Sequence, residues 1–177
     1  MMYSDKQMEE KAVLDIAGLM CAAARTAPKA KGIDNIVTLV LSGNEKDKLA
    51  KKMEEISIRE KEGTASFPRD ARNIYSAQAV ILIGVKTSFL GLKFCDYCGF
   101  DSCENCSNAG ARCAFNFIDL GIAAGSAVSV AADNRTDTRI MYSVGKAAME
   151  MQYTDEPVIW LGIPISLSGK SIFFDRK

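Results

Sequence analysis

The chain has 177 residues, with 22 basic and 22 acidic side chains, a formal net charge of zero and no histidine. A neutral chain gives no electrostatic reason to expect nucleic acid or an anionic membrane surface as a partner. The lack of histidine excludes Ser-His and Cys-His catalytic pairs, and it limits any metal site to cysteine and oxygen ligands.

The ends and the apolar stretches of the chain predict its compartment. Residues 1–15 are too acidic and too polar for a signal peptide. The most apolar stretch, residues 115–132, contains Asn116, Asp119 and many small side chains, so we do not expect it to span a membrane. We therefore expect a cytoplasmic protein, and stable disulfides are rare in that compartment.

Hydrophobic spacing predicts helices and strands in alternation along the chain. A capping-box pattern at Ser4 and Gln7 begins the first helix, and Pro28 and Gly32 end it. In chain order, the predicted elements are a helix at 4–25, a strand at 36–42, helices at 45–61 and 71–77, a strand at 79–86, helices at 115–132 and 139–151, and a strand at 158–166. Residues 168–177 are expected to form an edge strand or an arm.

This order predicts a single α+β domain, with a mixed sheet flanked by helices. The apolar run at residues 79–86 is typical of a strand that is covered on both faces. Residues from about 90 to 113 form a cysteine-rich insert between that strand and the central helix. Gly121 and Gly125 on the central helix would let another helix approach closely, and we expect this helix to contribute to a subunit interface.

Five of the six cysteines lie within nineteen residues, in the order Cys95, Cys98, Cys103, Cys106 and Cys113. Disulfides, a zinc ion or an iron–sulfur cluster would each account for such a group. Pairs of cysteines that bind zinc are usually more than ten residues apart, whereas here only four residues separate them. A four-iron cluster accepts ligands from one loop and one more distant cysteine. The spacing favours iron–sulfur; a structural zinc module and a thiol redox sensor are the alternatives.

The string C-x2-C-G-F-x2-C resembles the four-iron binding segments of corrinoid iron–sulfur proteins and of the B subunit of bacterial electron-transport complexes. This resemblance implies a [4Fe-4S] cluster for electron transfer, with Cys95, Cys98 and Cys103 as the first three ligands. The fourth ligand is Cys113 or Cys106. Most of the chain also resembles an uncharacterised family of proteins that contain a ferredoxin domain; the stretches that carry the resemblance are RTAPKAKGIDNI, CDYCGFDSC, CAFNFIDLGIAAGSAV, NRTDTRIMYSVGKAA and LGIPISLSGKSIFFDR. In that family the fourth cysteine directly precedes the DLGIA helix, and this favours Cys113.

A second resemblance concerns the stretch AARTAPKAKGIDN, residues 23–35. It is similar to the AARxAPSAxNxQPW stretch of flavin-dependent nitroreductases, and LGIP resembles their LGYP. The resemblance implies a nitroreductase-like scaffold, a homodimer, and FMN at the dimer interface, as in an FMN-dependent oxidoreductase. The chain lacks the Arg-Ser-x-Arg segment that holds the flavin phosphate in those enzymes. The residues implied to bind the flavin are Arg25, Lys29, Lys31 and Asn35, with phosphate charge supplied by Arg139, Lys170 and Arg176; the alternative is that these are solvated loop cations.

Three other residues with reactive side chains have simpler interpretations. Cys21 lies on the apolar face of the first helix and is expected to be a small core residue. Asp119 and Asp137 are expected to serve a helix-facing hydrogen bond or a turn rather than acid–base chemistry. The sequence names no substrate and no electron donor.

Overall fold

The computed structural model describes residues 1–173, which form six α-helices and a four-stranded sheet. The elements in chain order are α1 Asp5–Thr26, β1 Ile36–Ser42, α2 Gly43–Glu60, α3 Phe67–Ser76, β2 Ala79–Lys86, α4 Cys103–Asn108, α5 Ala114–Asp133, β3 Asp137–Thr138, α6 Tyr142–Met151 and β4 Val158–Ser166. The helices and strands predicted between residues 4 and 166 are all present. The helix α4 and the short strand β3 were not predicted.

The strands lie in the order β1-β2-β4-β3, and each neighbouring pair is antiparallel. The α+β class is confirmed, but the prediction of a mixed sheet is wrong for the described residues. Two helices connect β1 to β2, and two long helices lie between β2 and β4, so the chain direction reverses between these neighbours. An apolar run shows that a strand is covered on both faces, but it does not show the direction of its neighbours.

The sheet separates two hydrophobic cores. On one face, α1 and α5 pack against Ile81 and Ile83 of β2. On the other face, α2, α3 and α6 pack against Val80 and Leu82. Alternate side chains of β2 therefore enter different cores, as the two-residue period of a strand requires. The prediction that this strand is buried on both faces is confirmed.

Helix α6 lies directly on β4 because two glycines allow a very close approach. A Cβ atom added at Gly145 would lie 1.8 Å from the carbonyl oxygen of Trp160. A Cβ atom added at Gly162 would lie 2.1 Å from Cγ1 of Val144. The backbones of helix and strand are thus in contact, and this fixes α6 beside the end of the sheet where the cysteines are attached.

Helix α5 has one buried face and one uncovered face. By length and hydropathy it is able to cross a membrane, with a mean hydropathy of 1.5 over a window of which 39% is buried. One such helix is weak evidence, since the core helix of a soluble protein meets the same criteria. Asn116 and Asp119 are both buried, and Asp119 Oδ1 accepts a hydrogen bond of 3.1 Å from the Ala30 N–H. Phe117, Ile118 and Ile122 remain exposed on the other face.

The C-terminal segment follows β4. Residues 168–173 form no helix or strand, so the predicted edge strand is not present in that part of it. The side-chain hydroxyl of Ser171 donates to Asp137, and Phe173 is buried. Asp137 thus has the structural role predicted for it. The end of the predicted edge strand, including Arg176, lies outside the described residues.

Candidate metal centre

The cysteine segment, residues 87–113, leaves the sheet at the end of β2 and enters α5. Its beginning is held by the loop that precedes β1. The Lys31 Nζ donates to the Leu90 carbonyl oxygen at 2.9 Å, and the Asn35 Nδ2 donates to the Ser88 Oγ at 2.8 Å. The two stretches that carried the cofactor predictions, residues 23–35 and 95–113, therefore start from the same end of the sheet.

Three local structures position four of the thiols. Cys98 lies in a tight turn in which the N–H of Gly99, at φ 79°, donates to the Asp96 carbonyl oxygen at 2.7 Å. Cys103 and Cys106 lie one turn apart on α4, so their side chains share a face of that helix. Cys113 is the residue that caps the N-terminus of α5.

These four thiols come together around Cys106. The Cys106 side chain is completely buried and lies within hydrogen-bonding reach of Cys98. Burial raises the pKa of Cys106 to about 11, and the neighbouring Cys98, Cys113 and Cys103 add to that rise. The cause is general, because both a low dielectric and nearby negative charge disfavour the thiolate. All six cysteines are free thiols.

Cys95 occupies a different environment. It is only half-buried, and it lines a shallow surface pocket with Phe94, Asp96 and Asp101. The Phe94 side chain is fully exposed. The resemblance to four-iron binding segments had grouped Cys95 with Cys98 and Cys103; in the structure, Cys106 is also a neighbour of Cys98.

The N-terminus of α5, which is the positive end of the helix dipole, begins at one of the clustered thiols. Cys113 caps this 20-residue helix, and the first turn contains no acidic residue. A helix N-terminus favours a nearby negative charge such as a thiolate or an anionic cluster. Beside it, the rings of Tyr97 and Phe115 stack with centroids 5.4 Å apart, so an aromatic pair joins the segment to the helix.

The thiols are not arranged around the position of a single ion. Among residues 1–173, no group of three or more histidine, cysteine, aspartate or glutamate side chains is placed so that it could hold one metal ion. Zinc requires its sulfur ligands about 2.3 Å from a common centre. The four thiols are thus neighbours without being a preformed zinc site.

Four of the residues predicted to bind a flavin hold the loop before β1 in place. The guanidinium of Arg25 donates to the Ile36 carbonyl and pairs with Asp34. The Lys29 Nζ donates to the Ala27 carbonyl at 2.9 Å. With the contacts of Lys31 and Asn35 to residues 88–90, each of these polar groups has a partner within the chain.

The other two predicted flavin residues lie at the opposite end of the sheet. Arg139 follows β3, which pairs with the last residues of β4, and Lys170 follows β4 itself. Asn35 precedes β1, whose first residue pairs with the end of β2. The two groups are separated by most of the length of β4, about 23 Å. One chain therefore does not bring the six residues together.

A cavity of about 510 Å³ adjoins the cysteine segment, and the sequence did not indicate it. Its volume falls in the range usual for small-molecule sites. Arg112, which directly precedes Cys113, lines it on one side, and Tyr153 and Trp160 line it on the other. These residues belong to separate elements with no common motif. The sequence feature that could have drawn attention to this region is that Trp160 is the only tryptophan of the chain.

The fold resembles that of nitroreductase-like proteins, as the sequence predicted. It superposes on a BluB-like flavoprotein from Clostridium difficile with a TM-score of 0.61 and 15% identity, covering 100% of this chain and 86% of that one. A nitroreductase with bound FMN from Desulfitobacterium hafniense gives 0.59 and 14% identity, covering 97% and 82%. A nitroreductase-like family protein from Bacillus cereus gives 0.59 and 10% identity, covering 92% and 79%. At these identities the likeness establishes the fold.

The particular family is established by sequence. Residues 109–176 match the family described as "Uncharacterized protein containing a ferredoxin domain (DUF2148)". An uncharacterized protein from Archaeoglobus fulgidus is 42% identical over 184 aligned positions, covering 99% of this chain and 98% of its own length. The chain belongs to this ferredoxin-domain family, as its sequence predicted. The matched residues include Cys113 but none of the other four clustered cysteines.

Proposed function

We propose that this protein is an iron–sulfur redox protein that holds a [4Fe-4S] cluster on the cysteine segment and transfers single electrons. The observation that carries the proposal is the meeting of four thiols around Cys106. The family description, which names a ferredoxin domain, and the flavoprotein-like fold support a redox role. When bound, such a cluster would accept and return one electron at a time.

The donor set fits an iron–sulfur cluster better than a zinc ion. All the candidate ligands are cysteines, and no histidine exists in the chain to complete a mixed zinc site. The thiols are close neighbours but do not surround one point. A four-iron cluster is larger than one ion, so its sulfur ligands are spaced further apart. A structural zinc module is the competing function, and it predicts that the metal undergoes no reduction.

The environment of the thiols suits an anionic centre. The cysteine ligands of a bound cluster are deprotonated, whereas the thiol of Cys106 is held protonated by burial. The N-terminus of α5 at Cys113 supplies partial positive charge to compensate for thiolates. Much of the segment is exposed, so electrons have a short path between the centre and the surface.

The flavin part of the proposal requires two copies of the chain. In a single chain, the six described residues among those predicted to bind FMN do not form one site, because they lie at two ends of the sheet and those before β1 are engaged in the loop. We therefore derive no flavin chemistry from one chain. We propose a homodimer through the uncovered face of α5, where a Cβ atom at Gly121 or Gly125 would meet nothing within 4 Å.

The cavity beside Arg112 supports an enzymatic form of this function. It lies next to the residue that precedes Cys113, so a small redox substrate bound there would be close to the cluster. Its walls carry one cationic side chain, two acidic side chains and two aromatic rings. The substrate class stays undefined, and electron transfer is the conclusion for which the geometry gives most support.

One experiment tests the proposal. The protein is purified without oxygen, and its iron, sulfide, zinc and flavin contents and visible spectrum are measured before and after dithionite. We expect about four irons per chain and a brown colour that bleaches on reduction. A colourless protein with one zinc per chain would contradict electron transfer and support the structural module. A flavin absorption band would extend the proposal to a flavoenzyme.

A further inference from the structure

The cysteine segment has five thiols, whereas a four-iron cluster takes four. Cys98 and Cys103 belong to both ligand sets that the sequence predicted, and Cys113 is the fourth ligand that the family resemblance favours. The remaining place belongs to Cys95 or to Cys106. This inference rests on the proposed function, because it concerns which residue completes the centre that the proposed function requires.

Cys106 lies among the other three thiols. Its side chain has no exposed surface, and its neighbours include Cys98, Cys103 and Cys113. The backbone around it is well held: its N–H donates to the Ser102 carbonyl at 3.1 Å, and its own carbonyl accepts from the Ala111 N–H at 3.0 Å. A buried thiol with these three neighbours is placed to be a ligand of the same centre.

Cys95 lies at the rim of the segment. It shares a surface pocket with the carboxylates of Asp96 and Asp101 and with the exposed ring of Phe94. Cys95 lies outside α4 and does not cap α5, so neither helix holds it near the other thiols.

We propose that Cys106, and not Cys95, completes the ligand set, so that the cluster is held by Cys98, Cys103, Cys106 and Cys113. Cys95 is then a free thiol beside the centre. These ligands follow the pattern C-x4-C-x2-C-x6-C, in which α4 carries the two middle ligands on one face. In this ligand set, the C-x2-C pair formed by Cys95 and Cys98 contributes only Cys98.

The test compares the variants Cys95→Ala and Cys106→Ala, purified without oxygen beside the wild type. Iron, zinc and sulfide per chain are measured together with the EPR spectrum after dithionite. We expect Cys95→Ala to keep wild-type metal content and an unchanged EPR signal, and Cys106→Ala to lose most of both. The opposite pattern, with metal lost from Cys95→Ala and kept in Cys106→Ala, would overturn the inference. Cys21→Ala is the matched control, because Cys21 packs against the core far along the chain from the cysteine segment.

Thiol labelling keeps the inference falsifiable if Cys106→Ala fails to fold. The wild-type protein, with its metal bound, is treated with iodoacetamide and each cysteine is followed by peptide mass spectrometry. We expect Cys95 to be modified several-fold faster than Cys98, because a metal ligand is protected and a free thiol is not. Protection of Cys95 that disappears once a chelator removes the metal would make it a ligand and overturn the inference.

The two proposals fail in different ways. The metal in the wild type decides the function: iron that is reversibly reduced supports it, and zinc alone contradicts it. The contrast between the two variants decides the ligand set, and it does so for either metal. A wild-type protein that binds neither iron nor zinc would overturn both proposals.

Discussion

Lys46 is a buried lysine whose ammonium group caps the end of a neighbouring helix. Its Nζ donates to the carbonyl oxygens of Ile74 at 2.8 Å and Tyr75 at 3.1 Å, and it pairs with Asp47 at 2.6 Å. These carbonyls belong to the last turn of α3, where a positive charge is favourable. From the sequence, Lys46 would be assigned to the solvated face of α2. In the structure, its charged group instead joins α2 to α3.

Replacing Lys46 by methionine should lower the free energy of unfolding by about 1–3 kcal/mol, because the carbonyls of Ile74 and Tyr75 lose their partner, and the hydrogen bond to Ile74 is buried. Urea unfolding followed by circular dichroism measures this change. Lys48→Met is the matched control, since Lys48 is exposed and pairs only with Glu45, and it should change the free energy by less than about 0.5 kcal/mol. Equal effects of the two substitutions would contradict the capping role.

Tyr153 has a buried hydroxyl for which the described residues provide no hydrogen-bond partner. Burial raises the pKa of Tyr153 to about 12, and the negative charge of Glu45 contributes to the rise. The folded state thus keeps the phenol protonated where the unfolded chain, with a pKa near 10, has lost the proton. Its contribution to stability is complete below pH 10 and is lost as the pH rises toward 12.

The substitution Tyr153→Phe removes this hydroxyl. At pH 7 we expect the free energy of unfolding to stay the same or to rise by up to about 1 kcal/mol, because no hydrogen bond within the chain is broken. Between pH 10 and 12 the variant should lose less stability than the wild type. Urea titrations at pH 7, 10 and 11 measure both effects. A clear loss of stability at pH 7 would mean that the hydroxyl has a partner.

At the scale of the elements, the contact between α6 and β4 depends on glycine. Gly145→Ala should lower the free energy of unfolding by about 1–3 kcal/mol, the usual cost of forcing an atom into a filled space. The reason is that the added methyl group would overlap the carbonyl of Trp160, and backbone cannot move aside as a flexible side chain can. Chemical denaturation of the purified variant measures the loss.

Gly18→Ala is the control for this prediction. Gly18 also lies within a helix, α1, but nothing is within 4 Å of an added methyl group there. Alanine is the better helix former, so this variant should gain about 0.5–1 kcal/mol. If both alanine variants were stabilised, α6 would not lie as close to β4 as described.

In the cysteine segment, the sequence pattern predicted the kind of site but not the grouping of its thiols. Its composition and spacing predicted a metal centre between β2 and α5, and the structure brings four of the candidate thiols near one another in that segment. Spacing could not reveal α4, since CENCSN has no apolar period long enough to indicate a helix. That helix turns Cys106 toward Cys98, and for this reason the structure groups the thiols differently from the sequence.

At the scale of the whole molecule, the uncovered face of α5 determines the expected assembly. Phe117, Ile118 and Ile122 are exposed on a helix whose other face is in the core. Exposed apolar patches of this kind commonly mark an interaction surface. The proposed homodimer uses this face, and only two copies could unite the two groups of residues that were predicted to bind a flavin.

The substitution Ile118→Glu should convert the proposed dimer into a monomer, because a charged side chain is costly in an apolar interface. Light scattering coupled to size-exclusion chromatography measures the mass of wild type and variant at the same concentration. Ile58→Glu is the control, since Ile58 is 76% exposed on α2 and far from α5 along the chain. A wild type that is itself monomeric would contradict the dimer.

The sequence by itself determined the elements, the buried central strand and the chemical character of the proposed metal centre. Those are local properties: periodicity in β2, the capping box at Ser4, and a set of ligands restricted to cysteine because histidine is absent. Tertiary structure alone decided that the strands are antiparallel, that Cys106 lies among the other thiols, and that Asn35 and Arg139 lie at opposite ends of the sheet. These arrangements depend on how many times the chain reverses direction and on which faces of the helices and strands are buried together. The spacing of neighbouring residues determines neither of these two properties.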